Sequence, residues 1–288
     1  MRAQARLENQ SKAEIIRYYT EITSIVQTGN IDRIVVALDE RRGKFPIDEL
    51  LSCRLRGVKV DDGVAFTEYL AGKLSVESLH PSCLIFSDGF KSSSTSKILK
   101  RIIDVSVSSF GLLAFSLVGL IIGIAIKLDS KGPIFYRQER VGEGGKTFRL
   151  LKFRSMQMNA EANGPQWAKA NDDRVTRVGR IIRKLRLDEM PQMINVLKGE
   201  MSFVGPRPER PMFVERLTKG IPFYCQRHVV RPGITGWAQI CYPYGASRED
   251  ALEKLKYDLY YIKHISLLFD LIIIFETIKV VLFSKGAR

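Results

Sequence analysis

The feature that most constrains this chain is an uncharged run from Val105 to Ile126. It holds about 22 residues, and as a helix rising ~1.5 Å per residue it reaches about 33 Å. A hydrocarbon layer is ~30 Å thick, so the run is long enough to enter a membrane. A helix buried in a protein core is the competing reading, but such helices are usually shorter and polar along one face. Basic residues flank the run on both sides: Lys97, Lys100 and Arg101 before it, Lys127, Lys131, Arg137 and Arg140 after it. Both ends therefore favour the cytoplasmic face. No second run of this length follows. Leu267 to Phe283 is apolar but interrupted by Asp270, Glu276 and Lys279, which suits an interfacial amphipathic helix. The economical topology is a re-entrant hairpin that dips into one leaflet and returns. Ser116, Gly119 and Gly123 are among the small residues that permit a bend or close helix contact.

Upstream of the run the pattern changes. Ala13 to Thr28 repeats apolar residues at helical steps (Ile15, Ile16, Tyr19, Ile22, Val26), and Ile31 to Leu38 reads as a buried strand. A second helix is expected from Pro46 to Arg54 and a short strand around Gly57 to Val60. Alternating helix and strand resemble part of a doubly wound α/β domain, but no G-x-G-x-x-G follows a strand, so no nucleotide is assigned to it. Gly89 to Ser96, rich in serine, reads as a linker. The expected division is therefore residues 1–96, a partial α/β appendage with its linker, and residues 97–288, a membrane-associated domain.

Apolar residues make up 45% of the 288, ordinary for a folded protein. The formal net charge of +14 is not ordinary and implies an anionic partner: nucleic acid, acidic lipid headgroups or phosphorylated substrates. The four cysteines (Cys53, Cys83, Cys225, Cys241) form no C-x-x-C pair, and His80, His228 and His264 have no metal-ligand spacing with them. Free thiols in a reducing compartment are expected. The polar stretch Met1 to Gln10 does not read as a secretory signal, which again places the soluble part in the cytoplasm.

The densest chemical signal lies between Arg174 and Pro208. Arg177 to Arg186 reads as an amphipathic helix, with Val178, Ile181, Ile182 and Leu185 along one stripe and Arg177, Arg180, Arg183 and Lys184 opposite. Beside a membrane segment, that basic face suits lipid headgroups or pyrophosphate. Then comes Leu187-Asp-Glu-Met-Pro-Gln192, where Pro191 fits the first turn of a new helix and puts Asp188 near its N-cap. Met190, Met193, Ile194 and Leu197 give that helix an apolar face. Asp188 is either a cap or a nucleophile. Glu189 beside it can share a divalent cation or handle a proton, and a carboxylate can attack phosphorus to form an aspartyl phosphate. Two Gly/Pro-stiffened loops, Ser202 to Pro208 and Val230 to Gly236, each present one arginine, Arg207 and Arg231, suited to bidentate phosphate contact. Val141 to Thr147 ends like a phosphate-binding loop, but Arg140 stands where its first glycine belongs. A hairpin turn is the better reading.

These motifs in this order resemble the bacterial sugar transferases, the monotopic polyprenol-phosphate phosphoglycosyl transferases. The matching stretches are Lys100-Arg101 with Asp104, Gly132 to Phe135 with Gln138, Arg140 and Gly142, and Lys152 to Met156. They continue with Leu187 to Gln192, Asn195 to Ser202, Gly205 to Pro208 and Arg231 to Gly236, so the resemblance covers Lys97 to Arg288. It implies an α+β fold, a mainly helical catalytic domain with a re-entrant hairpin, preceded by a partial Rossmann-like domain. It implies catalysis by Asp188 and Glu189, which would also hold Mg²⁺. Phosphate contacts would come from Arg183 and Arg207, to which Arg231, Lys152 and Arg154 are added as candidates, with Lys100, Arg101, Asp104 and Ser116 at the membrane segment. The implied substrates are a nucleotide diphosphate sugar, usually UDP-linked, and a polyprenol phosphate, at the cytoplasmic face of the bacterial inner membrane beside anionic lipids. The family breaks its hairpin with Ser-Pro where this chain reads Ser116-Leu117. Longer members carry membrane helices further upstream, so a truncated chain is one expectation.

A non-catalytic membrane-anchored scaffold for acidic lipids or polysaccharide machinery is the alternative from a different class. Nucleic acid is excluded as partner, because the basic residues interleave with apolar positions and no nucleic-acid motif is present. Sugar specificity is expected in Gln157 to Asp173 or near Tyr242-Pro-Tyr244. Oligomeric state, a homodimer included, is left open.

Overall fold

The computed structural model describes residues 22–29, 31–37, 45–76, 90, 93–158, 160, 172–242, 245 and 247–282. The expected helix before Ile22, His80, Cys83 and most of both proposed specificity stretches lie outside them. The chain divides into two compact units, residues 1–75 and 76–288.

In the first unit, α1 (Ile22–Thr28) precedes β1 (Arg33–Val36), α2 (Ile47–Leu55), β2 (Lys59–Asp62) and α3 (Gly63–Ala71). β1 and β2 are parallel, Arg33 facing Lys59 and Val36 facing Asp62. Parallel neighbours need a crossover, and α2 supplies it. Ile22, Leu50, Cys53 and Val58 form the core, with Val26, Ile34 and Val60 packed around them. Asp62 ends the strand and caps the next helix, accepting from Val64 N at 2.8 Å. Among the described residues this is one β-α-β unit with a two-stranded sheet, less than a doubly wound domain.

The second unit is mainly helical. α4 (Ser94–Ala114) and α5 (Ser116–Asp129) carry the uncharged run, bent by 60° between them. α4 starts inside the expected linker, because Ser93 Oγ accepts from Ser96 N at 3.1 Å and caps it. The break falls at Phe115, and Ser116 Oγ donates to Leu113 O at 2.8 Å, competing with the helical ladder. A serine thus accompanies the bend without the proline the resemblance led one to expect. No single described helix is long and apolar enough to cross a membrane; the bent pair passes by length and composition. Around the bend, Phe110, Leu113, Leu117 and Leu120 are exposed. Further along α5, Ile122 and Ile126 are buried with Phe153 and Ile182.

β3 (Phe135–Val141) and β4 (Thr147–Phe153) form an antiparallel hairpin. Gly144 and Gly145 take φ of 65° and 78° in its turn, so these residues make a hairpin as expected, not a phosphate loop. After it come α6 (Arg177–Lys184), a 3₁₀ turn (Leu187–Glu189), α7 (Gln192–Lys198) and β5 (Ser202–Val204). α8 (Pro211–Gly220), a 3₁₀ segment (Tyr224–Val229), β6 (Gly233–Thr235), α9 (Trp237–Cys241), α10 (Arg248–Lys263) and α11 (Leu267–Leu282) complete the unit. β5 and β6 are parallel, Ser202 facing Gly233 and Val204 facing Thr235. The glycines permit this approach: a Cβ on Gly233 would land on the backbone of Gly205.

The basic and acidic groups at the start of the apolar run turn inward. Lys100 Nζ donates to Asp270 Oδ2 at 2.6 Å and to Val204 O at 3.1 Å. Arg101 donates to Val196 O and Leu197 O at 2.5 and 2.8 Å, closing the C-terminus of α7. Asp104, 3% exposed, accepts from Ser202 Oγ at 3.1 Å and Phe203 N at 2.9 Å. These three residues join α4 to the body of the unit, rather than lying free at a lipid surface. α11 is interrupted as expected, yet Asp270 is buried against Lys100 and Tyr261, while Leu268, Leu271, Phe275 and Ile278 are exposed.

Candidate functional site

Asp188 and Glu189 sit in the turn between α6 and α7. Arg186 has φ of 58°, a left-handed conformation that redirects the chain after α6, which ends at Lys184 rather than Arg186. α7 starts at Gln192 with Pro191 at its capping position and no side-chain cap. Asp188 is therefore not the cap that the spacing suggested. α7 buries Gln192, Met193, Asn195 and Val196, two of them polar, rather than a simple apolar stripe. Asn195 explains why: its Oδ1 accepts from Leu151 N at 3.0 Å and its Nδ2 donates to Arg149 O at 2.8 Å. That pair fastens α7 to β4, the strand that carries Lys152.

The two carboxylates are each 9% exposed, but their partners differ. Glu189 Oε1 accepts from Lys152 Nζ at 2.7 Å and from Arg207 Nη2 at 2.6 Å. Burial opposes its charge, but Arg207 and Lys152 outweigh that and hold it well below the usual carboxylate range. Among the described residues, no hydrogen bond or ion pair occupies the Asp188 carboxylate. Burial and the charge of Glu189 push it upward, against the pull of Lys152, Arg183 and Arg207. Burial in turn lowers Lys152, with Glu189 opposing. Neighbouring carboxylates driven in opposite directions are a recognised sign of divided chemical roles.

Four of the expected residues thus converge, Asp188, Glu189, Lys152 and Arg207, with Arg183 close enough to act on Asp188 through its charge. Arg154 and Arg231 have other partners. Arg154 is 4% exposed and donates to Ser130 O at 2.7 Å, Ser130 Oγ at 2.9 Å and Lys131 O at 2.9 Å, closing the end of α5. Arg231 Nε bonds Glu143 Oε2 at 3.2 Å beside the hairpin turn. Sequence reasoning missed Arg227, Asp258 and Asn195 as supports of the site. The ion pair of Arg227 with Asp258, at 2.7 Å, joins residues far apart in sequence, and no local pattern announces it.

No cluster of three or more Asp, Glu, His or Cys that could hold a metal is found among the described residues. The donor set still suits one ion. Mg²⁺ takes one or two carboxylates and completes its shell with water and substrate phosphate oxygens. Asp188 and Glu189 are adjacent hard oxygen donors, and the Asp188 oxygens are uncommitted.

On α6, Ile182 is buried while Ile181 and Leu185 are 60% and 53% exposed, so only half of the expected apolar stripe faces the core. Arg177, Arg180 and Lys184 are also exposed, which places apolar and basic groups together on the surface of one short helix.

Residues 95–284 match the family model described as bacterial sugar transferase. A UDP-N-acetylgalactosamine-undecaprenyl-phosphate N-acetylgalactosaminephosphotransferase of Aeromonas hydrophila is 44% identical over 239 residues, 83% of this chain and 56% of that protein. An undecaprenyl-phosphate glucose phosphotransferase of Komagataeibacter xylinus is 37% identical over 276 residues, 93% of this chain and 52% of that protein. A UDP-glucose:undecaprenyl-phosphate glucose-1-phosphate transferase of Escherichia coli K12 is 43% identical over 199 residues, 68% of this chain and 42% of that protein. The chain spans about half the length of the curated relatives it matches. Since the match runs from α4 through the dyad and both arginine-bearing loops to the end of α11, the chain belongs to the bacterial sugar transferase family.

Proposed function

We propose that this chain transfers a phospho-sugar from a nucleotide diphosphate sugar, UDP-linked, to a polyprenol phosphate, through a covalent intermediate on Asp188. The observation that carries this reading is the contrast within the dyad: Glu189 Oε1 is bonded by two cations, while the carboxylate of Asp188 is uncommitted beside three. An Asp188 oxygen attacks the phosphorus next to the sugar, the bond from that phosphorus to the bridging oxygen breaks, and nucleoside monophosphate leaves with the bridging oxygen. An oxygen of the lipid phosphate then attacks the same phosphorus and frees Asp188. Lys152, Arg183 and Arg207 orient the diphosphate and offset the charge that develops on its oxygens. Glu189 fixes Lys152 and Arg207 in place. Asp188 and Glu189 would hold Mg²⁺, which would supply further charge neutralisation on the leaving group.

Attachment to the cytoplasmic leaflet as a re-entrant hairpin follows from the same physics. The apolar residues exposed around the α4–α5 bend suit lipid, and the 60° bend supports re-entry over a straight crossing. The exposed arginines of α6 suit anionic headgroups. A scaffold without turnover would leave no purpose for a buried, uncommitted carboxylate among cations, since such a group costs stability.

The test is release of nucleoside monophosphate from a panel of UDP-sugars by membranes containing the protein, before any lipid acceptor is added. The expected result is a release dependent on Mg²⁺ that Asp188→Asn abolishes without loss of membrane association. Release by Asp188→Asn at the wild-type rate would refute the covalent role.

A further inference from the structure

Arg207 reaches Glu189 from a segment with no regular secondary structure, Pro206 to Arg210. Flanking prolines restrict its backbone but do not anchor it to the protein. Backbone amides hold its two ends, Gly233 N donating to Pro206 O at 2.9 Å and Phe213 N to Arg210 O at 3.0 Å, and three further donors hold the three consecutive carbonyls between them. Arg227 Nη2 donates to Arg207 O at 3.0 Å, Arg140 Nη1 to Pro208 O at 2.9 Å, and Val141 N to Glu209 O at 2.9 Å. Both arginines are themselves fixed. Arg227, 6% exposed, pairs with Asp258 at 2.7 Å and donates to Tyr224 OH at 2.7 Å. Arg140 bonds Gln138 Oε1 through Nε at 3.0 Å and faces Glu209 at 3.6 Å. Burying guanidinium groups costs desolvation free energy, and burial even pushes Asp258 up to about 6 and brings Arg140 down to about 10. Prolines and apolar packing would shape a loop more cheaply. A clamp of this kind fixes where the Arg207 side chain begins, and so whether it meets Glu189.

We infer that Arg227 and Arg140 are positioning residues for the transfer: by gripping the carbonyls of Arg207 and Pro208 they set the Arg207 guanidinium against Glu189. The inference rests on the proposed function for its rate consequences, and on the loop geometry alone for its structural ones.

The experiment uses the full chain in membranes, with Arg227→Met, Arg207→Met and the double variant, assayed by nucleoside monophosphate release. Arg227→Met is expected to lower kcat about 10- to 100-fold with KM within about 3-fold, the scale of a displaced catalytic group. In the Arg207→Met background the same change is expected to cost less than about 3-fold, because its effect passes through Arg207. Losses that multiply independently would overturn the inference, since a purely structural role acts whether or not Arg207 is present. Arg140→Gln, on the less buried arm of the clamp, repeats the cycle where Arg227→Met does not fold. Amide hydrogen exchange over residues 203–212 is read in parallel. It is expected to quicken in either variant while exchange in α6 holds, and unchanged exchange in the loop would overturn the clamp even if no UDP-sugar is turned over.

Discussion

Lys152 and Glu189 offer a way to separate charge balance from chemistry. The carboxylate of Glu189 is almost wholly buried and shares one oxygen between Lys152 at 2.7 Å and Arg207 at 2.6 Å. With Asp188, the cluster holds two acids beside these two bases, and Arg183 acts on Asp188 as a third cation. Lys152→Met removes one charge-assisted hydrogen bond, of about 1.5–3 kcal/mol, and leaves the buried Glu189 with Arg207 as its one bonded cation. A loss near 2 kcal/mol corresponds to a fall in Tm of about 4–8 °C. Glu189→Gln alone leaves two cations facing a neutral amide and is expected to cost a similar amount. Together, Lys152→Met and Glu189→Gln remove both members of one ion pair, so neither is left without its partner. The double variant is therefore expected to regain about 1.5–3 kcal/mol relative to the sum of the single losses. Its activity is not expected to return, because the proposed function also makes Lys152 a contact for the diphosphate. The assay is thermal unfolding of detergent-purified protein followed by tryptophan fluorescence, with nucleoside monophosphate release measured on the same samples. Additive stability losses would refute the coupling read from the geometry. Recovery of turnover in the double variant would show that Lys152 serves only to neutralise Glu189.

Other perturbations probe the rest of the molecule. Leu117→Lys puts a charge at an exposed apolar position beside the bend, which at membrane depth costs about 2.5–3.5 kcal/mol; liposome flotation is expected to show weakened association, and unchanged flotation would place this face outside lipid. Arg101→Met removes both donors that close α7, at 2.5 and 2.8 Å, and is expected to lower Tm by several degrees at about 1.5–3 kcal/mol; an unaltered Tm would show the contacts to be dispensable. Burial, with the charge of Arg227, holds His228 down to about 4, so the unfolded chain binds its proton first as pH falls. The stability that neutral His228 supports is complete above about pH 6.5 and is lost toward pH 4. His228→Gln is expected to flatten the fall of Tm across that window, and an identical slope would exclude the residue.

Much of the site was legible because its chemistry is local. Asp188 and Glu189 are adjacent in sequence, Arg207 stands between two prolines, and the turn glycines at 144 and 145 announce a hairpin. The apolar run was legible as a long helical element, and a serine at the bend was the remaining clue once proline was absent. Illegible was the burial of polar groups, because sequence carries residue type and spacing but not the partner supplied by a distant element. Arg154 and Arg207 look alike on paper, each a single arginine in a short motif. One closes the carbonyls of α5, and the other meets Glu189.

That distinction changes how the net charge of +14 should be understood. Read from composition, every base counts toward attraction for an anionic partner. In the folded unit, Lys100, Arg101, Arg140, Arg154 and Arg227 are engaged by backbone carbonyls or acids and serve to hold helices and loops together. Their fields are largely cancelled by those partners at close range. Among the described residues, the bases left to attract an anion include those exposed on α6 and, at the dyad, Arg183 beside the uncommitted Asp188. A substitution on α6 such as Arg180→Gln should therefore weaken binding to anionic vesicles in a salt-dependent way, with the fold undisturbed. The same change at Arg101 or Arg154 should act on the fold first and on binding only as a consequence.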